Sequence, residues 1–488
     1  MLFNSLRFLV FFPIVALVYG IIPGRVRYIW LLIASWFFYM CWNPRYILLI
    51  LASTTVTYIA GIMIGKADEK KKAKIIIAIC VALNLGILFL FKYAGWMADV
   101  IRSLTGRGIA ISLILPVGIS FYIFQALGYI IDVYRKKTEP EKNFFKYALF
   151  VSFFPQLVAG PIERSENLLK QIRNIPQIKF WNYERITSGL TLMLWGFFLK
   201  VVIADRIGVF VDYVFADYYV YGSIELILAA VGFAIQIYCD FFSYSMIAVG
   251  TARVFGIELM ENFSTPYFSR SIREFWRRWH ISLSSWFKDY VYIPLGGSRV
   301  SKGKYYRNLM ITFLVSGLWH GANWTFLAWG GVHGILQIIE NSFSPAVDKL
   351  NRRIGTKVDS FSYKLGQMMV TFALVTIAWV FFRAETIRDA VQYIVRMFTR
   401  FNPWVLFDGS LYTLGLERME VSILIVALAA LFAVSCVRYQ LHQNIDMFLA
   451  EQCIWFRWLI LLALIFSIVI FGVYGPEYDV TQFIYFQF

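Results

Sequence analysis

Residues 311–334 read ITFLVSGLWHGANWTFLAWGGVHG, an apolar run that carries His320, Asn323 and His333. A polar side chain without a partner in hydrocarbon costs several kcal/mol, so ionisable residues at membrane depth are candidates for function. Three of the chain's four histidines lie between residues 270 and 334, which makes this window the expected place of any imidazole chemistry. Its five glycines permit either a close approach of two helices or a broken helix.

A basic and aromatic segment precedes this run. Residues 273–280 read REFWRRWH, and a second group of cations follows a Pro-Gly turn at 294–297. Cations combined with Trp276, Trp279 and Trp286 are typical of an interfacial helix whose aromatic rings lie at the level of the lipid headgroups. We therefore expect this segment to begin outside any spanning helix.

The composition is that of a membrane protein. Hydrophobic residues make up 59% of the chain, against about 45–50% in soluble domains, and the alternation typical of barrel strands is absent. Because a spanning helix needs roughly 20 apolar residues, the sequence predicts an all-α polytopic protein with about 11–12 spans. These lie near residues 8–22, 28–42, 47–65, 75–92, 111–133, 144–160, 187–204, 223–256, 309–340 (one or two spans), 367–383, 419–437 and 455–473. The run at 144–160 is short and broken at Phe154-Pro155, which predicts a re-entrant segment.

The distribution of charge predicts the orientation. The formal net charge of +16 comes from Lys and Arg in short loops, as the positive-inside rule describes. We therefore expect contact with anionic membrane lipid and no nucleic acid. The basic clusters follow odd-numbered spans, which places both termini outside the cytoplasm. The first apolar run lacks a small-residue cleavage pattern and is predicted to be a retained span.

Metal and disulfide chemistry are not expected. The five cysteines are scattered in or beside apolar runs and show no CxxC spacing. The histidines match no local ligand pattern such as HExxH, and a GxSxG nucleophile motif is absent. We therefore predict no metal site, and imidazole remains the candidate base.

His320 is the main catalytic candidate. It lies three residues before Asn323, so a continuous helix would place both side chains on one face. An imidazole with an ordinary pKa of about 6.5 can take a proton from a hydroxyl that attacks an acyl group. The alternative is a structural histidine hydrogen-bonded between helices. His280 is either an interfacial residue or part of the reaction site, whereas for His333 a structural role is favoured.

The chain ends in an aromatic segment, FIYFQF, at residues 483–488. Termini are usually polar and frayed. One interpretation is an aromatic belt that anchors the final span. The other is a tethered segment that enters a cavity and presents the hydroxyl of Tyr485. We accordingly divide the chain into a transmembrane core, residues 1–454, and a final helix with its tail, residues 455–488.

Several motifs resemble one family. They are SIREFWRRWHISLSSW at 271–286, DYVYIPLGGSR at 289–299, LWHGANW at 318–324, PVGISF at 116–121 and FPQLVAGPI at 154–162. Together they look like the membrane-bound O-acyltransferase superfamily and, more narrowly, its alginate O-acetyltransferase branch, which includes proteins of peptidoglycan and cellulose acetylation. One departure is DFFSYSM at 240–246, where the branch usually has DFSGYSD, because the glycine and the second acid are missing.

This resemblance implies a ring of tilted helices around a thin centre, with an outer funnel that meets a cytoplasmic tunnel. His320 corresponds to the catalytic histidine, in a motif that also holds Asn323, and His280 corresponds to a second histidine lining the same cavity. The terminal FIYFQF is similar to the C-terminal motif of the small partner peptide in teichoic-acid D-alanylation, in which a tyrosine carries the acyl group. Tyr485 would take that place in cis.

The implied activity is O-acylation of a polysaccharide by an enzyme of the bacterial cytoplasmic membrane. We expect acetyl-CoA as the donor, held through its phosphates by Arg277, Arg278, Lys288 and Arg299. Tyr485 would accept the acetyl group, and an exported SGNH-type transferase would pass it to a cell-envelope polymer. Two alternatives stay open, D-alanyl transfer from a carrier protein and a transporter for a polysaccharide precursor that uses broken helices as its site.

Overall fold

The computed structural model describes residues 1–106, 111, 113–474 and 484. Within these ranges the regular secondary structure is helical and no β-strand occurs. The prediction of an all-α protein is therefore confirmed. Tyr485, the predicted acyl acceptor, lies outside the described residues.

The α-helices of the described part of the chain are α1 (Leu6–Ile21), α2 (Arg27–Met40), α3 (Ile47–Lys66), α4 (Lys70–Lys92), α5 (Ala94–Thr105), α6 (Ile119–Tyr134), α7 (Phe144–Ser152), α8 (Phe154–Leu157), α9 (Lys170–Asn174), α10 (Tyr183–Phe197), α11 (Asp205–Ala216), α12 (Ser223–Val254), α13 (Ile272–Arg278), α14 (Ile281–Phe287), α15 (Lys302–His320), α16 (Trp324–Arg353), α17 (Phe361–Arg383), α18 (Ile387–Thr399), α19 (Arg418–Leu441), α20 (Ile445–Ala450) and α21 (Ile454–Phe471). π-Helical segments occur at Ser165–Leu169, Phe198–Ala204 and Lys288–Tyr292. Short 3₁₀ turns occur at Gly24–Val26, Pro44–Tyr46, Ile175–Gln177, Pro266–Phe268, Pro403–Leu406 and Ser410–Thr413.

The membrane spans follow from helix length and composition. In the described ranges, seven helical stretches are long and apolar enough to cross a membrane: Pro44–Lys66, Lys70–Lys92, Tyr183–Ala216, Ser223–Val254, Phe361–Arg383, Arg418–Leu441 and Ile454–Phe471. Two shorter apolar helices are α1 and α6. The predicted number of spans is higher because it includes apolar runs that the structure divides into shorter helices, such as the run at 144–160. The chain is a multi-pass membrane protein.

The described chain forms two compact units, of which the first comprises Met1–Gly196 and Tyr244–Glu261. Its centre is α6, almost all of whose residues are buried, packed against α3 and α4. Polar side chains inside this unit pair with each other. Tyr147 donates to the hydroxyl of Thr57 at 2.8 Å, and Ser53 donates to the side-chain oxygen of Asn84 at 2.6 Å. Such pairing is what helices in hydrocarbon require of their polar groups.

The run at 144–160 is broken between α7 and α8, as its proline predicts. The backbone amide of Phe154 donates to the hydroxyl of Ser35 at 3.1 Å. The carbonyl of Phe150 accepts from the side-chain amides of Gln125 and Gln156, at 2.5 and 2.9 Å. Protein groups thus satisfy backbone atoms at the break, which is the condition for irregular backbone at membrane depth.

The second unit comprises Phe197–Ser243 and residues 262–474 of the described chain. Its most closely packed pair of helices is α15 and α16. A Cβ atom on Gly317 would lie 2.3 Å from the carbonyl oxygen of Phe326, and a Cβ atom on Gly330 would lie 2.3 Å from the carbonyl oxygen of Phe313. Because any side chain at these positions would collide with backbone, glycine alone allows the two helices to touch.

The basic and aromatic segment that precedes α15 does not form the predicted interfacial helix. Instead of one interfacial helix it forms two short helices, α13 and α14, separated at Trp279 and His280. Trp279 and Trp286 are only 3% and 7% exposed, and Trp279 packs against Trp379 with ring centroids 5.0 Å apart. The expectation that these two rings lie among lipid headgroups is wrong, because the break between the helices directs them into the protein.

Replacing Gly330 with alanine should destabilise the hairpin of α15 and α16. Relief of the backbone collision requires the helices to separate, which we expect to lower the free energy of unfolding by about 1–3 kcal/mol. Gly331→Ala is the matched control, since its Cβ atom would meet nothing closer than Leu314 at 3.8 Å. Thermal unfolding in detergent, followed by tryptophan fluorescence, measures both variants. Equal melting temperatures for the two would contradict the backbone contact.

Candidate active site

His320 is the last residue of α15, directly before an extended Gly321. It is 8% exposed. Three aromatic rings meet its imidazole edge-on, with centroid distances of 4.9 Å to Trp319, 5.1 Å to Trp329 and 5.3 Å to Phe382. The glycine contact between α15 and α16 is what brings Trp329 this close. The imidazole therefore lies in an aromatic cage at a helix end.

His280 lies between α13 and α14 with left-handed backbone, φ 44°, a conformation that histidine adopts more readily than most residues. It is 1% exposed. Its Nδ1 lies 3.4 Å from Oδ1 of Asn262, and its ring meets Phe241 at 4.6 Å and Trp319 at 5.9 Å. Because the amide oxygen is an acceptor, Nδ1 carries the proton. Nε2, which has no hydrogen-bond partner among the described residues, presents a lone pair.

Burial sets the protonation state of His280. The apolar surroundings disfavour the imidazolium form and lower the pKa of His280 to about 3. The ring is therefore neutral at physiological pH, and the lone pair on its buried Nε2 can accept a hydrogen bond.

His333 lies in α16 and is fully buried. Trp276 donates from its indole nitrogen to Nδ1 of His333 at 3.3 Å, so a neutral ring carries its proton on Nε2. The ring of Trp329 lies 5.1 Å from that of His333. These contacts agree with the structural role favoured for His333.

The three histidines belong to one aromatic cluster, which we call the imidazole row. Trp319 contacts both His280 and His320, and Trp329 contacts both His320 and His333. The sequence had suggested that these histidines share a region, and the structure brings them together through two intervening tryptophans.

Asn323 does not share a helical face with His320. Since α15 ends at His320 and α16 begins at Trp324, the run at 309–340 is divided into two helices, and the shared face that a continuous helix would give does not form. Asn323 is the N-cap of α16, where asparagine is strongly preferred. Its Oδ1 accepts from the amide of Thr325 at 3.1 Å, and its Nδ2 donates to the carbonyl of Glu385 at 3.4 Å. This geometry gives Asn323 a part in shaping the turn after His320, and its part in catalysis stays a prediction.

A cavity of about 410 Å³ lies within the second unit. Cations line part of its wall, namely Arg273, Arg277 and Lys288. Another part is apolar, formed by side chains that include Phe287 and Phe313. A cavity of this size and mixed lining is suited to a small molecule with both anionic and apolar parts.

Two residues connect this cavity with the imidazole row. Ser316 lines the cavity and precedes His320 by one turn of α15. Trp276 also lines it and donates to His333. His320 itself does not line the cavity. Ser316 and Trp276 are the residues through which the cavity wall and the imidazole row are connected.

The predicted donor-binding cations divide into two groups. Arg277 and Lys288 line the cavity. Arg278 instead pairs with Glu274 at 2.9 Å and is not part of the cavity wall. Arg299 is exposed and does not line the cavity either. A role for all four in donor binding stays a prediction, with the geometry favouring the first two.

Arg273 lines the cavity but is not among the residues predicted for donor binding. It precedes Arg277 by four residues on α13, a spacing that places both side chains on one helical face. That spacing was the available signal. The contact of Trp276 with His333 was not predicted either, because only the packing of α13 against α16 turns this ring toward His333.

These features define a multi-pass membrane protein with a buried imidazole site near a cation-lined cavity, an arrangement suited to acyl transfer. A family model described as MBOAT, membrane-bound O-acyltransferase family, matches residues 18–384. The chain belongs to the membrane-bound O-acyltransferase family and is an O-acyltransferase.

Individual relatives agree with the resemblance of the motifs. The chain is 39% identical over 438 residues to the probable alginate O-acetylase AlgI of Pseudomonas syringae pv. tomato, which covers 88% of this chain and 81% of that protein. It is 33% identical over 428 residues to the peptidoglycan O-acetyltransferase of Helicobacter pylori, covering 81% and 80%. Similarity to the teichoic acid D-alanyltransferase of Streptococcus thermophilus is lower, 29% over 290 residues, covering 56% of this chain and 69% of that protein.

His280 should make stability depend on pH in a defined direction. The native ring stays neutral down to a pKa of about 3, whereas the unfolded chain takes up a proton below about 6.5. As the pH falls from 6.5 towards 3, this group therefore lowers the free energy of unfolding by about 1.4 kcal/mol per pH unit.

His280→Asn removes this titration while keeping a side-chain donor for Asn262 and a residue that tolerates left-handed backbone. Thermal unfolding at pH 7.5 and pH 4.5 should show a smaller acid-induced loss of stability in the variant than in the wild type. An identical loss in both proteins would contradict the neutral, buried imidazole.

Proposed function

We propose that this enzyme moves an acetyl group from cytoplasmic acetyl-CoA across the membrane for O-acetylation of a cell-envelope or secreted polysaccharide. His320 acts as the general base, and Tyr485 is the acyl acceptor. The observation that carries the proposal is the burial of His320 at the break between α15 and α16, one turn beyond Ser316 in the wall of the cation-lined cavity.

The proposed transfer is a balanced exchange of two bonds. The phenol oxygen of Tyr485 forms a bond to the acetyl carbonyl carbon, and the bond from that carbon to the sulfur of CoA breaks. His320 takes the phenol proton and returns it to the departing thiolate. The imidazolium formed in between lies at the C-terminal end of α15, where the helix carbonyls carry partial negative charge that stabilises a cation. The surrounding aromatic rings exclude water, which strengthens this interaction.

The cavity lining supports acetyl-CoA as the donor. CoA has three phosphates and a long, largely uncharged arm. Arg273, Arg277 and Lys288 can bind the phosphates, while the apolar wall suits the arm. Ser316, on the way to His320, marks the direction in which the acetyl group would extend.

Passing only the acetyl group avoids moving the highly charged CoA through hydrocarbon. An aryl ester at Tyr485 is a good donor because phenolate leaves more readily than alkoxide. We propose that an exported SGNH-type transferase takes the acetyl group from this ester and delivers it to the polymer. In this proposal the enzyme lies in the cytoplasmic membrane of a bacterium, and both of its termini are on the outer side of that membrane. Support comes from relatives named as an alginate O-acetylase and a peptidoglycan O-acetyltransferase.

A second candidate is D-alanyl transfer from a carrier protein, favoured by the similarity to a teichoic acid D-alanyltransferase. A carrier presents its acyl group on an arm with a single phosphate. Three cations around one cavity suit the several phosphates of CoA better, and the more similar relatives are named for acetylation. Membership in a family of O-acyltransferases also favours an enzyme over the transporter alternative.

Removing the cavity cations should weaken donor binding. We expect Arg277→Gln and Lys288→Gln each to raise KM for acetyl-CoA about tenfold with little change in kcat, because each loses a phosphate contact made equally in the ground and transition states. Lys349→Gln is the control, since Lys349 is an exposed cation of α16 that does not line the cavity. Release of free CoA thiol by the purified protein, supplied with a synthetic FIYFQF peptide as acceptor, gives both constants. Unaltered KM in both cavity variants would place the donor elsewhere, and no turnover with acetyl-CoA would favour the carrier-protein alternative.

Loss of either reacting group should abolish the pathway. His320→Ala removes the base, and Tyr485→Phe removes a single oxygen, so we expect delivery of labelled acetyl groups to the envelope polysaccharide to fall at least about a hundredfold in each. Tyr183→Phe, at an exposed tyrosine, should leave delivery unchanged. Gel filtration in detergent checks that each variant is folded. Wild-type delivery by Tyr485→Phe would rule out the acyl-tyrosine step.

A further inference from the structure

The last helix, α21, packs loosely against the rest of the chain. Among its residues Leu464 is the one buried side chain, at 8% exposure, and most of its large apolar side chains are exposed. Few side-chain contacts therefore fix its tilt or its height in the membrane, which packing normally sets. Its C-terminal end is nevertheless held at a defined place.

Two hydrogen bonds hold that end. The carbonyl of Phe471, the last residue of α21, accepts from Nη2 of Arg206 at 2.7 Å. Two residues later, the amide of Val473 donates to the carbonyl of Val201 at 2.8 Å. Both partners belong to the same spanning stretch, Tyr183–Ala216.

The carbonyl that accepts from Val473 lies where the spanning helix is irregular. A regular α-helix uses its internal carbonyls for its own ladder of hydrogen bonds. The segment Phe198–Ala204 is π-helical, which shifts that ladder, and the Val201 carbonyl within it accepts from Val473. Such segments recur at functional positions in helices.

Arg206 lies where an arginine is costly. It is 5% exposed, inside a stretch apolar enough to span a membrane, where an arginine is costly and is usually retained for function. Its Nη1 donates to the carbonyl of Val202 at 3.1 Å. Its other contact, to Phe471, places a cation at the C-terminal end of α21, where it satisfies an unpaired carbonyl and opposes the helix dipole.

A buried ion group supports the segment that receives α21. Nζ of Lys200 lies 2.8 Å from a carboxylate oxygen of Asp205 and 2.5 Å from one of Asp240, and all three side chains are buried. Because Asp240 belongs to α12, this group ties the π-helical segment to a second helix. The receiving side of the contact is thereby held in place.

We propose that Arg206 and the Val201 carbonyl form an anchor that fixes where the last helix ends, so that the tail after residue 474 starts from one defined point. Arg206 is thus a positioning residue for acyl transfer. The inference rests on the proposed role of Tyr485, since an anchored tail raises the effective concentration of that tyrosine at the site.

Two variants remove the anchor in different ways. Arg206→Gln removes the guanidinium. Val473→Pro removes the amide that donates to Val201 and lies beyond the end of α21, so the helices are untouched. Gly472 already has φ −67° and ψ 143°, the extended conformation that a residue before proline prefers. Arg457→Gln, in the first turn of the same helix, is the matched control.

Acetylation in cis and in trans separates positioning from catalysis. Full-length protein is incubated with acetyl-CoA, and acetylation of its own Tyr485 is timed by mass spectrometry. The same substitutions in a Tyr485→Phe background are assayed with a synthetic FIYFQF peptide, which needs no anchor. We expect the cis rate to fall about tenfold or more in Arg206→Gln and about two- to tenfold in Val473→Pro, while kcat and KM for the free peptide, and every rate of Arg457→Gln, stay unchanged.

Unchanged cis rates in both anchor variants would overturn the proposal. An equal loss with the free peptide would also overturn it, because the anchor would then act on the fold of the whole site. Wild-type protein that consumes acetyl-CoA yet leaves Tyr485 unmodified would instead contradict the proposed function, and the purpose of the anchor with it.

Discussion

The backbone contact between α15 and α16 is the constraint on which the site depends. Helices of membrane proteins associate where small residues let their backbones approach closely. Hydrogen atoms in place of side chains at Gly317 and Gly330 permit that approach. The same contact sets Trp329 beside His320, and the capping of α16 by Asn323 makes the sharp turn that leaves His320 at a helix end.

The three histidines of the imidazole row have different surroundings and therefore different chemical properties. His280 is neutral because burial lowers its pKa to about 3, and His333 is occupied by the indole of Trp276. His320 is the histidine at a helix C-terminus, where a transient positive charge is best tolerated. It is also the member whose own helix lines the cation-bordered cavity one turn earlier, at Ser316. The proposed base is therefore distinguished by its place in the fold as well as by its motif.

Sequence alone predicted the all-α class and the long spans, because length and hydropathy are local properties. A long motif also singled out His320, whose catalytic role stays a prediction. Sequence alone failed where distant residues decide the outcome. The spacing of His320 and Asn323 suits one helical face, but spacing does not reveal that a glycine and a cap divide the run into two helices. The contact of Arg206 with Phe471 and the pairing of Lys200 with Asp240 join residues far apart in sequence, and no periodicity signals them.

In the proposed mechanism His320, as general base, enables an acetyl group to pass from CoA to Tyr485 of the same chain. Mass spectrometry of the C-terminal peptide, after brief incubation of wild-type and His320→Ala protein with isotope-labelled acetyl-CoA, tests this most directly. We predict labelled acetyl on Tyr485 in the wild type and none in His320→Ala. Unmodified Tyr485 in wild-type protein that turns over the donor, or equal labelling of both proteins, would contradict it.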